Sequence, residues 1–207
     1  MTISDITIQK LKTGKLSAEL PEFYDLQNVI ENNNWHNHES TFNHTLKVLA
    51  NYDRYLLKTD KKISQYLNRN IDKHKIEELI FVAIILHDLG KKETIVRTGN
   101  QSTFPLHEKI SVKKAKNILN IFNLSSAEQK FVLKIVQKHS YLHSIVEEEN
   151  HKLKQQFKRL ENHCGQAIIG LIILVMVDTL NSYLKTTMPK KYNFRIGYYR
   201  EKLKVLA

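Results

Sequence analysis

Two apolar stretches in this 207-residue chain run into ionisable side chains that a hydrocarbon core would not tolerate alone. Residues 79–86 lead directly into His87 and Asp88. Residues 167–177 lead into Asp178, after which Leu180, Tyr183 and Leu184 continue a helical spacing. An isolated buried carboxylate is costly enough that it takes up a proton, pairs with a cation or binds a metal. The chain offers Lys and Arg as partners, and it also offers imidazoles at His44, His107, His139 and His143. Mixed His and Asp ligation suits a divalent transition ion, and one shared ion would account for both carboxylates. The residues alone leave a plainer account open. A helix-end Asp also serves in a salt bridge or a cap, and a lone His also sits satisfied in a core or on a surface.

Helices must bring these distant groups together. From 39 to about 58, Phe42, Leu46, Leu49, Tyr52 and Leu56 recur every three or four residues, which predicts an amphipathic helix carrying His44. Asp72 is the predicted N-cap of a helix over 73–88 whose second half is apolar on every face. Gly90 is expected to stop it in the left-handed conformation, with Lys91 and Lys92 complementing the negative dipole end. A loop over 97–105 leads to a helix at about 108–121, with His107 at its N-terminal edge. Ser125-Ser126-Ala127-Glu128 spells a capping box and opens a helix running to about His139. Residues 143–160 are charged and weakly periodic, which reads as a solvated helix or a partly mobile excursion. The last core helix spans about 166–184, and Pro189 separates it from a basic, aromatic tail. Residues 1–20 read as a short helix or an extended lead-in, with a fresh helix start after Pro21.

Composition agrees with an all-α class. With 6 Gly and 3 Pro there are too few turn signals for an all-β fold, which needs one every ~8–12 residues. One cysteine, Cys164, excludes an internal disulfide and any Cys-x-x-Cys zinc site, and points to a reducing, cytoplasmic setting. The N-terminus lacks the ~7–15-residue apolar core of a secretory signal. The apolar run 167–177 is shorter than the ~20 residues a bilayer requires, so no membrane is expected. Lys and Arg number 32 against 21 Asp and Glu, a net charge of +11 that favours polyanions or phosphorylated substrates without naming one.

His44, then His87-Asp88 within FVAIILHDLGK (81–91), then a distant Asp178, form a pattern that resembles the H…HD…D signature of the HD-domain superfamily of metal-dependent phosphohydrolases. More narrowly, Trp35-His36 ahead of His44-Thr45-Leu46, followed by HDLGK and Thr94, is similar to the HD domain of bacterial CCA-adding tRNA nucleotidyltransferases. FPLHEKISVKKA (104–115) resembles the histidine segment that follows in those proteins. The resemblance implies a single-domain helical bundle of the HD type over 35–188, flanked by a lead-in helix or extension (1–34) and a basic aromatic tail or helix (189–207). It implies metal ligation by His44, His87, Asp88 and Asp178, with His107 and His139 completing a second metal position. The cofactor expected is one or two divalent ions of Mn, Ni, Fe, Co, Zn or Mg. With no Gly-Gly pair and no spaced Asp-x-Asp, nucleotide addition is not expected.

Such an ion activates water at neutral pH and offsets charge on phosphate oxygens, the chemistry of phosphoester hydrolysis. Asp88 would bridge ions or orient the water. Lys91 would hold a phosphate oxygen, or merely complement the helix dipole at ~0.3–1 kcal/mol. His36 and His143 are further candidates for substrate contact, and His143 also competes with His139 for the metal because four residues on a helix share a face. The expected substrate is a nucleotide, a cyclic nucleotide phosphate or an RNA end. The alternatives are a nucleotide-binding regulatory module without turnover and an RNA-binding protein. In the latter, Lys190, Lys191, Tyr192, Phe194, Arg195, Tyr198, Tyr199 and Arg200 would stack and pair with bases. The same aromatic spacing also fits an amphipathic final helix packed inward.

Overall fold

The long helices of the computed structural model, which describes residues 1–147 and 150–207, are α1 (Thr41–Leu56), α2 (Ile76–Leu86), α3 (His107–Leu119), α4 (Ser126–Ile145), α5 (Leu153–Cys164), α6 (Ile168–Asn181) and α7 (Pro189–Leu206). Three short antiparallel hairpins join them: β1 (Ile30–Glu31) with β2 (Glu39–Ser40), β3 (Asn70–Ile71) with β4 (His74–Lys75), and β5 (Val96–Thr98) with β6 (Gln101–Thr103). The fold is all-α, and the hairpins serve as clamps between helices.

α6 is the axis of the bundle. It is buried from Ile168 to Thr179 and packs against α1, α2, α4 and α7. The run Leu153–Asn181 is long and apolar enough to cross a membrane, yet 78% of its apolar window is buried inside the fold, so it is a core element. α2 is likewise buried along nearly its whole length, from Leu79 to Leu86 apart from Phe81. Helices apolar on all faces must be enclosed, and enclosure forces their polar ends to meet. α1 is amphipathic instead, with Phe42, Val48, Leu49 and Tyr52 turned inward and His44 on the same buried side.

The start of α4 matches its sequence signature. Ser125 Oγ accepts from the Glu128 amide at 3.2 Å, and Glu128 Oε2 accepts from the Ser125 amide at 2.7 Å. Glu128 Oε1 also accepts from the Lys73 and His74 amides, at 2.8 and 2.7 Å, so one buried carboxylate fastens the β3–β4 turn to α4. This corrects the expected cap at Asp72. Asp72 occupies the turn of that hairpin at φ 57°, a conformation Asp tolerates, and α2 begins only at Ile76. α4 continues past His139 to Ile145, which adds the turn that carries His143. Within 143–160, Phe157 and Leu160 are buried on α5, while 148–149 lie outside the described residues. The tail forms α7, with Tyr199 buried and Tyr192, Phe194 and Tyr198 packed against the core.

Gly90 is needed for a reason other than the expected left-handed stop. Its φ is −84°. A Cβ there would lie 2.2 Å from the His107 carbonyl oxygen and 2.7 Å from the Ser111 nitrogen. The chain after Asp88 therefore touches the backbone of α3, and the Gly90 amide donates to Ser111 Oγ at 2.9 Å. Gly90→Ala should cost on the order of 3 kcal/mol by pushing α3 away, and loss of melting temperature together with weakened metal binding checks it. An unchanged melting curve would contradict this close approach.

Candidate metal centre

The site lies where the polar ends of α2, α3, α4 and α6 meet at a cleft of about 540 Å³, with α1 packed behind it. Asp88, His107, His139, His143 and Asp178 line it, with Trp35 and Phe104 on its walls.

Three imidazoles are held in the same manner. His87 Nδ1 lies 2.7 Å from the Ile84 carbonyl, His107 Nδ1 2.9 Å from that of Phe104, and His139 Nδ1 2.7 Å from that of Val136. A carbonyl oxygen only accepts, so each Nδ1 carries a proton and each Nε2 presents a lone pair when the ring is neutral. Those lone pairs converge. His107 Nε2 and His139 Nε2 are 3.0 Å apart, and Asp88 Oδ1 lies 3.2 and 3.5 Å from them. His87 Nε2 faces Asp88 Oδ2 at 3.0 Å and has no hydrogen-bond partner among the described residues. The Ser140 hydroxyl, 3.1 and 3.3 Å from the two Nε2 atoms, brings one proton to this group of acceptors. Acceptors packed this closely repel unless a cation lies among them, and the donor types are those of a divalent transition ion. His107 reaches this position because Leu106, just before α3, takes a left-handed φ of 58°, uncommon for a branched residue.

The second part of the site adjoins the first. His44 Nε2 is 2.6 Å from Asp178 Oδ1, and His143 Nε2 is 2.8 Å from Asp178 Oδ2. Burial works against charge on His44, but Asp178 and Glu39 outweigh it and raise its pKa to about 10. Burial also opposes ionisation of Asp178, yet His143 and His44 hold its carboxyl well below the usual range. His139 is neutral, because burial depresses its pKa to about 4. Burial opposes charge on His87, but Asp88 and, more weakly, Asp178 outweigh it and raise its pKa in the metal-free fold. The folding thus gathers His44, His87, Asp88, His107, His139, His143 and Asp178, which come from distant parts of the chain.

Lys91 and His36 border this group through a residue with no sequence signal. Glu31, in β1 and 1% exposed, sets its two oxygens 3.0 and 2.9 Å from Lys91 Nζ, which lies 2.8 Å from Asp88 Oδ2. Thr41 Oγ1 donates to Glu31 at 2.7 Å, and His36 Nε2 is 3.4 Å from it. Lys91 is buried, and its neighbours Asp88 and Glu31 outweigh that burial and raise its pKa. A two-residue strand in a weakly periodic lead-in carries no motif, so Glu31 could not be found from sequence. Arg195, a candidate base contact of the tail, is instead 3% exposed: its Nη1 donates to the His143 carbonyl at 2.8 Å, Nη2 pairs with Glu147, and it lies 4.8 Å from the Trp35 ring. His38 is exposed and outside the cleft lining.

Residues 41–166 match the HD domain family, well over half of the chain. The chain belongs to the HD domain family. No curated protein matches it. HD domains are metal-dependent phosphohydrolases in general and bind divalent ions, which agrees with the donor set around Asp88. Asp178 lies beyond the matched segment, and so do His36, Glu31 and Arg195.

Two outcomes follow for this HD domain. Ligation requires neutral His44, so an ion must displace its proton: affinity should rise between pH 7 and about 10, with proton release seen as buffer-dependent binding enthalpy. The metal-free fold should respond oppositely. A raised His44 pKa contributes stability that is complete below about 6.5 and is lost as pH climbs through about 10, measurable as a falling melting temperature. Affinity independent of pH would remove His44 from the ligand set. Separately, Glu31→Leu leaves buried Lys91 with one partner fewer and should cost roughly 3–5 kcal/mol in thermal denaturation; a loss under about 1 kcal/mol would mean the pair behaves as a surface one.

Proposed function

We propose that this HD domain hydrolyses a phosphoester of a nucleotide, a cyclic nucleotide phosphate or an RNA end. The observation that supports this most is the cluster of Nε2 lone pairs and the Asp88 carboxylate on the floor of a cleft whose walls carry aromatic rings and cations. His44, His87, Asp88 and Asp178 would hold one ion, with His107 and His139 beside Asp88 available for a second. A divalent ion supplies a nucleophilic water near neutral pH and offsets charge on the phosphate.

The protein groups would then act as follows. Asp88, with oxygens facing both His87 and the His107–His139 pair, orients the attacking water. Lys91, with its three N–H groups facing Glu31 and Asp88, keeps that carboxylate ionised and aimed, and brings its positive charge close to the phosphate. His143, buried and with its pKa lowered by burial despite Asp178, is neutral and lies on the leaving-group side near Trp35. Trp35 and Phe104 offer faces on which a base stacks, an arrangement that binds single-stranded ends without needing a paired partner. The cleft volume lies within the ~300–1,000 Å³ usual for small-molecule sites. The likeness of its motifs to the HD domain of CCA-adding enzymes supports an RNA end, in a cytoplasmic setting.

The test is a screen of mononucleotides, 2′,3′-cyclic phosphates and 3′-phosphorylated RNA oligomers against the protein loaded with Mn²⁺ or Ni²⁺, with phosphate and nucleoside release both measured. Turnover should fall by at least on the order of 10²–10³-fold in Asp88→Ala. Full activity in that variant would overturn the assignment. Tight nucleotide retention with no product would instead favour a binding module.

A further inference from the structure

The loop between β1 and β2 carries a second set of donors, on the far side of His44 from Asp178. Pairing of β1 with β2 sets Glu31 directly opposite Glu39; Lys91 meets the first carboxylate and Lys47 pairs with Oε1 of the second, which leaves Glu39 Oε2 facing the loop. His36, on the connecting loop, lies between them, with Nε2 3.4 Å from Glu31 Oε2 and Nδ1 3.9 Å from Glu39 Oε2. His44 presents its Nδ1 to the same Glu39 oxygen at 3.7 Å, while its Nε2 is 2.6 Å from Asp178. The two rings meet edge to face at 4.4 Å.

Each imidazole therefore directs Nε2 to a buried carboxylate. Among the described residues neither Nδ1 has a hydrogen-bond partner, although His36 is 6% and His44 1% exposed. A carboxylate behind one ring nitrogen is the usual support for a histidine whose other nitrogen binds metal. His36, Glu39 and His44 each offer one ligand atom, and these atoms lie within 4.8 Å of one another. Ligands about 2.1 Å from one ion are at most about 4.2 Å apart, so the 3.7 and 3.9 Å separations already suit a shared ion. Glu39 also borders a surface hollow of about 700 Å³ distinct from the main cleft, which offers a route inward past Asn43 and Lys47.

We propose that His36 Nδ1, His44 Nδ1 and Glu39 form a separate site for a divalent transition ion such as Zn²⁺. The site shares the His44 ring with the catalytic centre. An ion on Nδ1 leaves the remaining ring proton on Nε2, directed at Asp178, and so withdraws His44 from the catalytic ion. Excess metal is then inhibitory. This last consequence rests on the proposed hydrolase activity, whereas the site itself does not.

Equilibrium dialysis of the full chain against Zn²⁺ alone, with bound metal counted by elemental analysis, tests it. The unaltered protein should hold one ion more than His36→Ala and one more than Glu39→Gln, each checked for fold by circular dichroism. Co²⁺ substitution should show the matching loss of one set of d–d bands. In the hydrolysis assay, excess Zn²⁺ should inhibit the unaltered protein at least about tenfold, and each variant should lose that inhibition relative to its own rate at stoichiometric metal. Equal metal counts in all three proteins would overturn the site. A count that drops while inhibition persists would overturn the sharing of His44. Absence of any turnover, with the difference in count intact, would remove the hydrolase reading and leave this site standing.

Discussion

The structure depends on one electrostatic constraint: several carboxylates and imidazole lone pairs are enclosed where five helices meet. Asp88 is 3% exposed and Asp178 8%, so bulk solvent screens neither well. Each must be met by a positive group or a shared ion. The surrounding geometry answers this need, from the carbonyl anchors that turn three Nε2 atoms inward to the Lys91 ammonium placed between Glu31 and Asp88. Close packing of Gly90 against the His107 backbone keeps the two halves of that arrangement in register.

The same constraint explains why the bundle needs its ends. The matched family segment, 41–166, contains His44, His87, Asp88, His107 and His139. Glu31 comes from the lead-in, Asp178 from the next helix, and Arg195 from the last. α7 closes the cleft by bonding to the end of α4, where the His143 carbonyl accepts from Arg195 and Glu147 pairs with both Arg195 and Lys191. The basic, aromatic tail is thus a wall of the cleft, with its rings packed inward and Lys190, Lys191 and Arg200 left at the surface.

Local signals were legible where backbone chemistry is local. The capping box at Ser125, the amphipathic face of α1 and the apolar runs of α2 and α6 all depend on neighbours within a turn or two, and they appear where the spacing predicts them. Asp72 and Gly90 show the opposite case. Each type has a familiar local use, as cap and as helix stop, and each is employed for a tertiary purpose: Asp72 in a hairpin turn that α4 secures, Gly90 at a backbone contact with α3. α4 runs past its expected end at His139 because its last turn is polar on the side facing the cleft, which reads in sequence as a loss of periodicity.

From residue types and spacing alone came the all-α class, the H…HD…D pattern and the expectation that buried acids require a cation, because helix periodicity and the cost of desolvating charge are written along the chain. Glu31, the direction of each imidazole nitrogen, the burial of Arg195 and the meeting of His36, Glu39 and His44 were decided by tertiary structure. Those features depend on which segments approach across the bundle, and on which carbonyl or carboxylate then stands behind each ring, and neither is encoded in the order of nearby residues.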